Sequence, residues 1–295
     1  MAESAILIGG QAVIEGVMMR SPRWTSTAVR LPHGEITAFT EPVHSLLLRH
    51  RVLRAPVLRG VIVLYEALRL GVRALFWSAN AALGTEEAMT PRQALLAIVT
   101  GLGLAIGLFF LLPAAIGRAL DPYLGSVYTL NLAEGAVRVA VLVTYIAAIG
   151  RLPDIRRIFA YHGAEHKAVN AYEAGAALDV ASVRACSRFH PRCGTSFLLI
   201  VMIVAVIVFS FLGRPPLLLR LLSRVAFIPL VAGVSYEIIR AGARSRWVRP
   251  LVLPGLWLQR LTTREPDDDE IEVAVRALRE VVDREQATRA APPVL

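Results

Sequence analysis

The sequence predicts a mainly α-helical integral membrane protein. It has about four transmembrane helices, a small β-rich N-terminal cytosolic unit and a cytosolic loop in mid-chain. Three observations lead there. Hydrophobic residues make up 55% of the 295 residues and charged ones only 19%, against about 25% charged in soluble domains, and the mean hydropathy is +0.55. Two runs, 94–117 and 193–213, carry no charge and are bounded by Arg92 and Arg118 and by Arg192 and Arg214. Basic residues gather at one end of these runs. The composition excludes a disordered chain and a fibre and disfavours an ordinary soluble enzyme. Two cysteines exclude a disulfide scaffold.

Residues 1–57 form the β-rich unit. Within 5–43 the pattern is one of short strands, and 25–31 and 36–40 are joined by Pro32-His33-Gly34-Glu35, the signal of a hairpin turn. Met1-Ala2-Glu3-Ser4 lacks the basic start of a signal peptide, so the residues before the first span are expected in the cytosol. Residues 58–92 follow as an amphipathic interfacial helix. Arg59, Glu66, Arg69 and Arg73 make one polar stripe, and Val61, Leu64, Leu68, Val72, Leu75 and Phe76 make the apolar faces. Such a helix lies in the membrane interface or packs between the β unit and the spans.

Residues 93–150 hold the first two spans, 94–117 and 132–150. The second contains Glu134 and Arg138, spaced to pair on one helix face, with Arg138 near enough to one end to snorkel. Residues 151–192 are the cytosolic loop. Residues 193–240 hold spans 193–213 and 217–236, the latter interrupted by Arg220 and Arg224. In 241–295, residues 252–261 suit the headgroup region. Pro266-Asp267-Asp268-Asp269 then starts a helix with acids at its positive end. Ile271, Ala274, Val275, Leu278, Val281 and Val282 line its apolar face, and 290–295 read as a frayed tail.

Charge placement sets orientation. The 151–192 loop carries Arg151, Arg156, Arg157, Lys167, Arg184, Arg188 and Arg192, and Arg240, Arg244, Arg246 and Arg249 follow the last span. Basic residues stay inside, which predicts a multi-pass protein of the inner (cytoplasmic) membrane with both termini cytosolic. Arg214 and Arg220 on the far side run against this pattern. The net charge of +9 reads as contact with anionic headgroups of the lipid bilayer. It does not read as nucleic-acid binding, because the arginines flank apolar runs and form no stripe with interleaved aromatics.

The loop is where chemistry can reside. It contains His162-Gly163-Ala164-Glu165-His166, the H-x-x-E-H spacing of the inverted zinc-peptidase motif. On a helix, His162 and His166 share a face and can reach one metal ion. Glu165 beside them is placed to act as general base toward an activated water. His190 and Cys193 follow at a chelate spacing, and two pairs of nitrogen and sulfur donors on two elements are how zinc sites are built. The predicted ligands are therefore His162, His166, His190 and Cys193, with zinc as cofactor. All four together would close a structural site, and three would leave a catalytic position open. Glu173, about 10.5 Å of helical rise beyond His166, is expected to orient a histidine from outside the ligand set. Cys186 is a further donor or a small apolar residue. A Cys193 nucleophile with His190 as base lacks an orienting carboxylate or amide.

The residues also resemble a known family. Gly9 to Arg20 (GGQAVIEGVMMR), the stretches HGAEHK at 162–167, YEAG at 172–175 and RFHPRCGTSF at 188–197, and PGLWLQRLTTREP at 254–266 are similar to the opening, central and closing signatures of the YqhQ-like bacterial membrane proteins. That is a family of unknown function. The resemblance implies a multi-pass, metal-dependent enzyme without an established reaction. His162, Glu165, His166, Glu173, His190 and Cys193 fall on its motif positions, and Cys186 lies outside them. For the opening signature, the plain reading is tight turns; the alternative is that Glu15 and Arg20 face the metal loop, Glu15 as an outer carboxylate.

The leading functional expectation is thus a zinc-dependent, hydrolase-like membrane enzyme at the cytosolic face. Its substrate would be a lipid headgroup, a segment of a membrane protein or a soluble molecule. The alternative is a non-enzymatic assembly or translocation partner of another membrane protein, with a closed structural metal site. A transporter ranks third, since the spans carry few midplane ionisable groups.

Overall fold

A computed structural model describes residues 6–84, 90–213, 216–242, 245 and 247–290. The Met1–Ser4 stretch, Arg214, Arg244, Arg246 and residues 291–295 of the expected tail lie outside the described residues, as do the side chains of Arg220 and Arg249. The chain is mostly helical with one small antiparallel sheet.

Strands β1 (Gly9–Val13), β2 (Gly16–Arg20), β3 (Trp24–Arg30) and β4 (Ile36–Pro42) follow one another as a meander in the order β1-β2-β3-β4. The expected hairpin is β3–β4, closed at Arg30 opposite Ile36, with Gly34 at φ +92° in the turn. Strand β2 is buried along four of its five residues because both faces of the sheet are covered. Side chains alternate, so Val17 and Met19 enter one core while Met18 enters another.

Two short helical turns, α1 (Leu46–Arg49) and Arg51–Arg54, lead into α2 (Leu58–Leu83). Helix α2 covers the Met18 face of the sheet through Leu70, Ala74, Trp77 and Ala81. Three of the four residues of its polar stripe make ion pairs: Glu66 with Arg20 at 2.6 Å, Arg73 with Glu41 at 2.8 Å, and Arg59 with Glu237. Packing between the β unit and the spans is therefore realised, while Tyr65, Leu68, Val72 and Leu75 stay exposed on the outer face.

Among the described residues, three helices are long and apolar enough to cross a membrane: Arg92–Tyr123, Val127–Ile149 and Leu222–Gly242. The first comprises α3 (Pro91–Ile106), a wider π-helical turn at Gly107–Leu111 and α4 (Leu112–Leu120). The second is α5 (Val127–Ile149). The sequence predicts about four. Its run at 193–213 becomes α8 (Gly194–Ser210), which has 17 residues, about 25 Å of rise against a core of about 30 Å. Part of its apolar circumference is buried, where α8 packs against α5 and against α9 (Leu217–Gly242), while Leu198, Ile203 and Ile207 stay exposed.

Arg138 does not snorkel. It is 4% exposed, donates its Nε–H to the Phe109 carbonyl at 2.9 Å and lies 3.1 Å from the Glu134 carboxylate, which also pairs with Arg224 of α9. The widened turn at 107–111 presents the carbonyl that receives the guanidinium. Arg224, which weakened the 217–236 span when read alone, is thus matched by a carboxylate from α5.

Beyond α5 come α6 (Pro153–Glu173) and α7 (Val180–Arg184). After α9 come a short turn at Arg249–Val252, α10 (Leu253–Thr262) and α11 (Asp268–Ala290). Helix α10 departs from a simple headgroup segment. Trp257 is exposed, yet Leu258 and Gln259 are fully buried, and the helix packs on α8. Helix α11 buries the predicted apolar face, Ile271 to Val282, against the other face of the sheet and against α6. The N-terminal sheet, the mid-chain loop and the C-terminal helix therefore share one core, with α6 at its centre.

Candidate metal centre

Pro153 opens α6 and Asp154 sits in its first turn, both favourable at a helix N-terminus. Its middle is small and buried: Gly163, Ala164, Ala168 and Ala171. Gly163 is required by its neighbour, because a Cβ there would collide with the backbone carbonyl of Arg264. The Arg264 N–H in turn donates to the Phe159 carbonyl at 2.8 Å, so the chain at 263–266 lies directly against the helix. Gly163→Ala is expected to destabilise the protein by ~1–3 kcal/mol, the typical cost of overpacking, read as a lower melting midpoint with unchanged expression of a folded species.

His162 and His166 stand one turn apart on α6, their ring centroids 4.4 Å from each other. Each has its Nδ1 on a backbone carbonyl: His162 on Thr262 at 2.8 Å, His166 on Arg188 at 2.7 Å. A carbonyl only accepts, so both Nδ1 atoms carry a proton, and in the neutral imidazole each Nε2 is the nitrogen left to bind a metal. The His162 Nε2 lies 3.2 Å from the Cys193 Sγ. The ligand atoms of His162, His166 and Cys193 all fall within 4.8 Å of one another. His166 and Cys193 are buried and His162 half-buried.

Cys193 is the N-cap of α8, with Sγ accepting from the Thr195 N–H at 3.4 Å. The loop before it is tied to α6 through its carbonyls. Lys167 Nζ donates to Arg184 and Cys186, both at 2.8 Å, and pairs with Glu265 at 2.7 Å. Asn170 donates to Ser187 and Phe189 at 2.7 and 3.1 Å. Cys186 packs at the edge of the core, its thiol 3.6 Å from the Ser182 carbonyl.

His190, predicted as a fourth ligand, is not part of the triple. Its Nδ1 accepts from the Arg192 N–H at 3.3 Å and its Nε2 lies 3.4 Å from Glu173. Burial pushes its pKa down to about 4, partly offset by Glu173. The histidine beside Glu173 is thus His190 and not His166, and the same carboxylate also pairs with Arg192. Glu15 lies on Arg157 at 2.6 Å and Arg20 on Glu66, so neither is placed at the cluster.

Glu165 is. Its carboxylate is 5% exposed and lies 3.5 Å from the His166 Nε2. Burial raises its pKa to about 7, against the pull of His162 and of a hydrogen bond from the Gly10 N–H. That bond gives the opening signature a role: Gly10 brings β1 so close that a Cβ would sit 3.0 Å from the Glu165 Cγ. Sequence reasoning missed Gly10, Thr262 and Gln259. Gln259, fully buried on α10, receives the His190 N–H at 2.9 Å and donates to the His190 carbonyl at 2.8 Å and to Ser196 at 2.9 Å. The only sequence signal was their place in the opening and closing signatures.

Two imidazole nitrogens with free lone pairs, one thiol and an adjacent carboxylate form a donor set suited to a borderline-soft divalent ion. The residues present fit such an ion.

Residues 55–284 are matched by a family model described as protein of unknown function (DUF1385). The uncharacterized protein YqhQ of Bacillus subtilis (strain 168) is similar, 35% identical over 295 residues, covering 93% of this chain and 92% of that protein. No solved structure matches.

Proposed function

The chain belongs to the DUF1385 family of proteins of unknown function, and from its centre we propose a zinc-dependent, hydrolase-like membrane enzyme acting at the cytosolic face of the inner membrane. The observation that carries the reading is the pair of Nδ1–carbonyl bonds at His162 and His166. They leave the His162 Nε2 beside the Cys193 Sγ, the His166 ring within the same triple, and Glu165 beside the His166 Nε2. Outer partners of this kind fix ring orientation and tautomer at metal sites. His162, His166 and Cys193 hold the ion, which supplies Lewis acidity. Glu165 holds or moves a proton at its carboxylate. Thr262 and Arg188 keep the rings in place through their carbonyls. The arginines of 151–192 support a cytosolic position for the site, and the three long apolar helices support membrane residence.

The burial of His166, Cys193 and Glu165 favours one competing reading: Glu165 closes the site as a fourth ligand, and the protein is an assembly or translocation partner. One experiment separates the two. Metal content is measured by mass spectrometry on full-length protein purified in detergent without chelators. Wild type is expected to carry close to one zinc per chain, His166→Ala close to none, and Glu165→Gln as much as wild type. Loss of zinc in Glu165→Gln as well would move the reading to the closed structural site. Metal-free wild type would overturn both.

A further inference from the structure

An open cleft of about 650 Å³ runs along the first two turns of α6, and four arginines line it: Arg156, Arg157, Arg188 and Arg264. We propose that this cleft binds a phosphate-bearing anion, and that it makes the substrate of the neighbouring centre a phosphorylated headgroup or a soluble phosphate ester. The proposal rests on the enzyme reading for the word substrate; binding by the cleft stands apart from it.

Charge supports an anion. Arg157 is engaged by Glu15, and Arg188 lies 3.8 Å from Glu265. Arg156 and Arg264 are exposed and make no ion pair among the described residues. The cleft also contains three acids, of which Glu265 is paired with a lysine outside it. Glu265 faces Lys167 at 2.7 Å, and Glu270 accepts the Asp267 N–H at 2.7 Å. Asp154 is the third, exposed at the rim. Guanidinium groups match phosphate oxygens in pairs, and the volume is that of a small-molecule site.

Position supports the link to the centre. The Arg188 carbonyl holds the His166 ring, and Arg264 is two residues beyond Thr262, whose carbonyl holds the His162 ring. An anion seated between these side chains touches both segments that set the histidines. Helix α6 begins at Pro153, directly after the membrane-length helix α5 ends at Ile149. The cleft therefore lies next to the end at which α5 would leave a bilayer, the side where anionic headgroups would be met.

The test uses full-length protein in neutral detergent, titrated with phosphatidic acid or phosphatidylcholine and examined by native mass spectrometry. The comparison is between wild type, Arg156→Gln/Arg264→Gln and a control of equal charge loss, Arg49→Gln/Arg51→Gln. Phosphatidic acid retention is expected to fall at least ~10-fold in the cleft variant only. Competition by inorganic phosphate and glycerol 3-phosphate distinguishes the sources. Displacement of lipid, or binding of the soluble anions alone, both with the same dependence on Arg156 and Arg264, keeps the anion site and identifies what fills it. Equal retention in all three proteins, with no effect of the soluble anions, overturns the proposal. Zinc content of the same samples is read in parallel. Zinc retained with anion binding lost in the cleft variant shows a folded protein, and anion binding without zinc in wild type sinks the enzyme reading while leaving the cleft.

Discussion

Glu134→Ala is expected to destabilise the helical bundle by ~3–5 kcal/mol, the usual cost of removing one member of a buried charge network. The carboxylate is 1% exposed and is shared by Arg138 and Arg224, both nearly fully buried. Without it two guanidinium groups from α5 and α9 face one another in an interior closed to water. The measurement is the heated fraction of monodisperse protein in detergent. The midpoint should drop by on the order of 10 °C, at ~2–4 °C per kcal/mol for a chain of this size. Replacing Glu134, Arg138 and Arg224 together by leucine should cost far less than the single change, since apolar residues often substitute for an entire buried network. A Glu134→Ala midpoint equal to wild type would show that the network carries no stability.

The second large effect is expected at Gln259. Gln259→Leu keeps the volume and removes three hydrogen bonds in a fully buried position. It leaves the His190 N–H and the Ser196 hydroxyl without this partner, at ~1–3 kcal/mol for each buried polar group stranded. The loss reaches the centre as well, because His190 lies three residues before Cys193 and Gln259 three before Thr262. Zinc retention against a competing chelator is therefore expected to fall ~10–100-fold, the range for outer partners of a metal site. A variant that melts lower yet holds zinc as tightly as wild type would confine Gln259 to packing.

Much of the candidate centre was legible in the sequence because helical spacing is local. His162 and His166 are four residues apart on a helix with a clear start at Pro153, and that alone places them on one face. Glu165 follows from the same spacing. His190 was not legible. A three-residue separation from Cys193 suits a chelate, but here the chain turns into α8 at Cys193. The His190 ring is meanwhile taken by Glu173 and the Arg192 N–H. That outcome depends on where Lys167 and Asn170 capture the loop carbonyls, which no local pattern reports. Gly10 shows the same limit: its role exists only because β1 passes beside Glu165.

Local pattern determined the β hairpin at Pro32–Glu35, the amphipathic face of α11, the long apolar helices and the two histidines on one turn. Each depends on periodicity or on turn chemistry within a few residues, which the chain carries wherever it folds. Tertiary structure alone decided the rest. It packed the most apolar run as a 17-residue helix against α5 and α9, matched Arg224 with a carboxylate 90 positions away in sequence, and brought Cys193 into the close triple with the two histidines. For the charged and polar groups the reason is that burial is tolerated only where a partner arrives. Those partners come from elements that meet only once the sheet, α6, α10 and α11 are assembled.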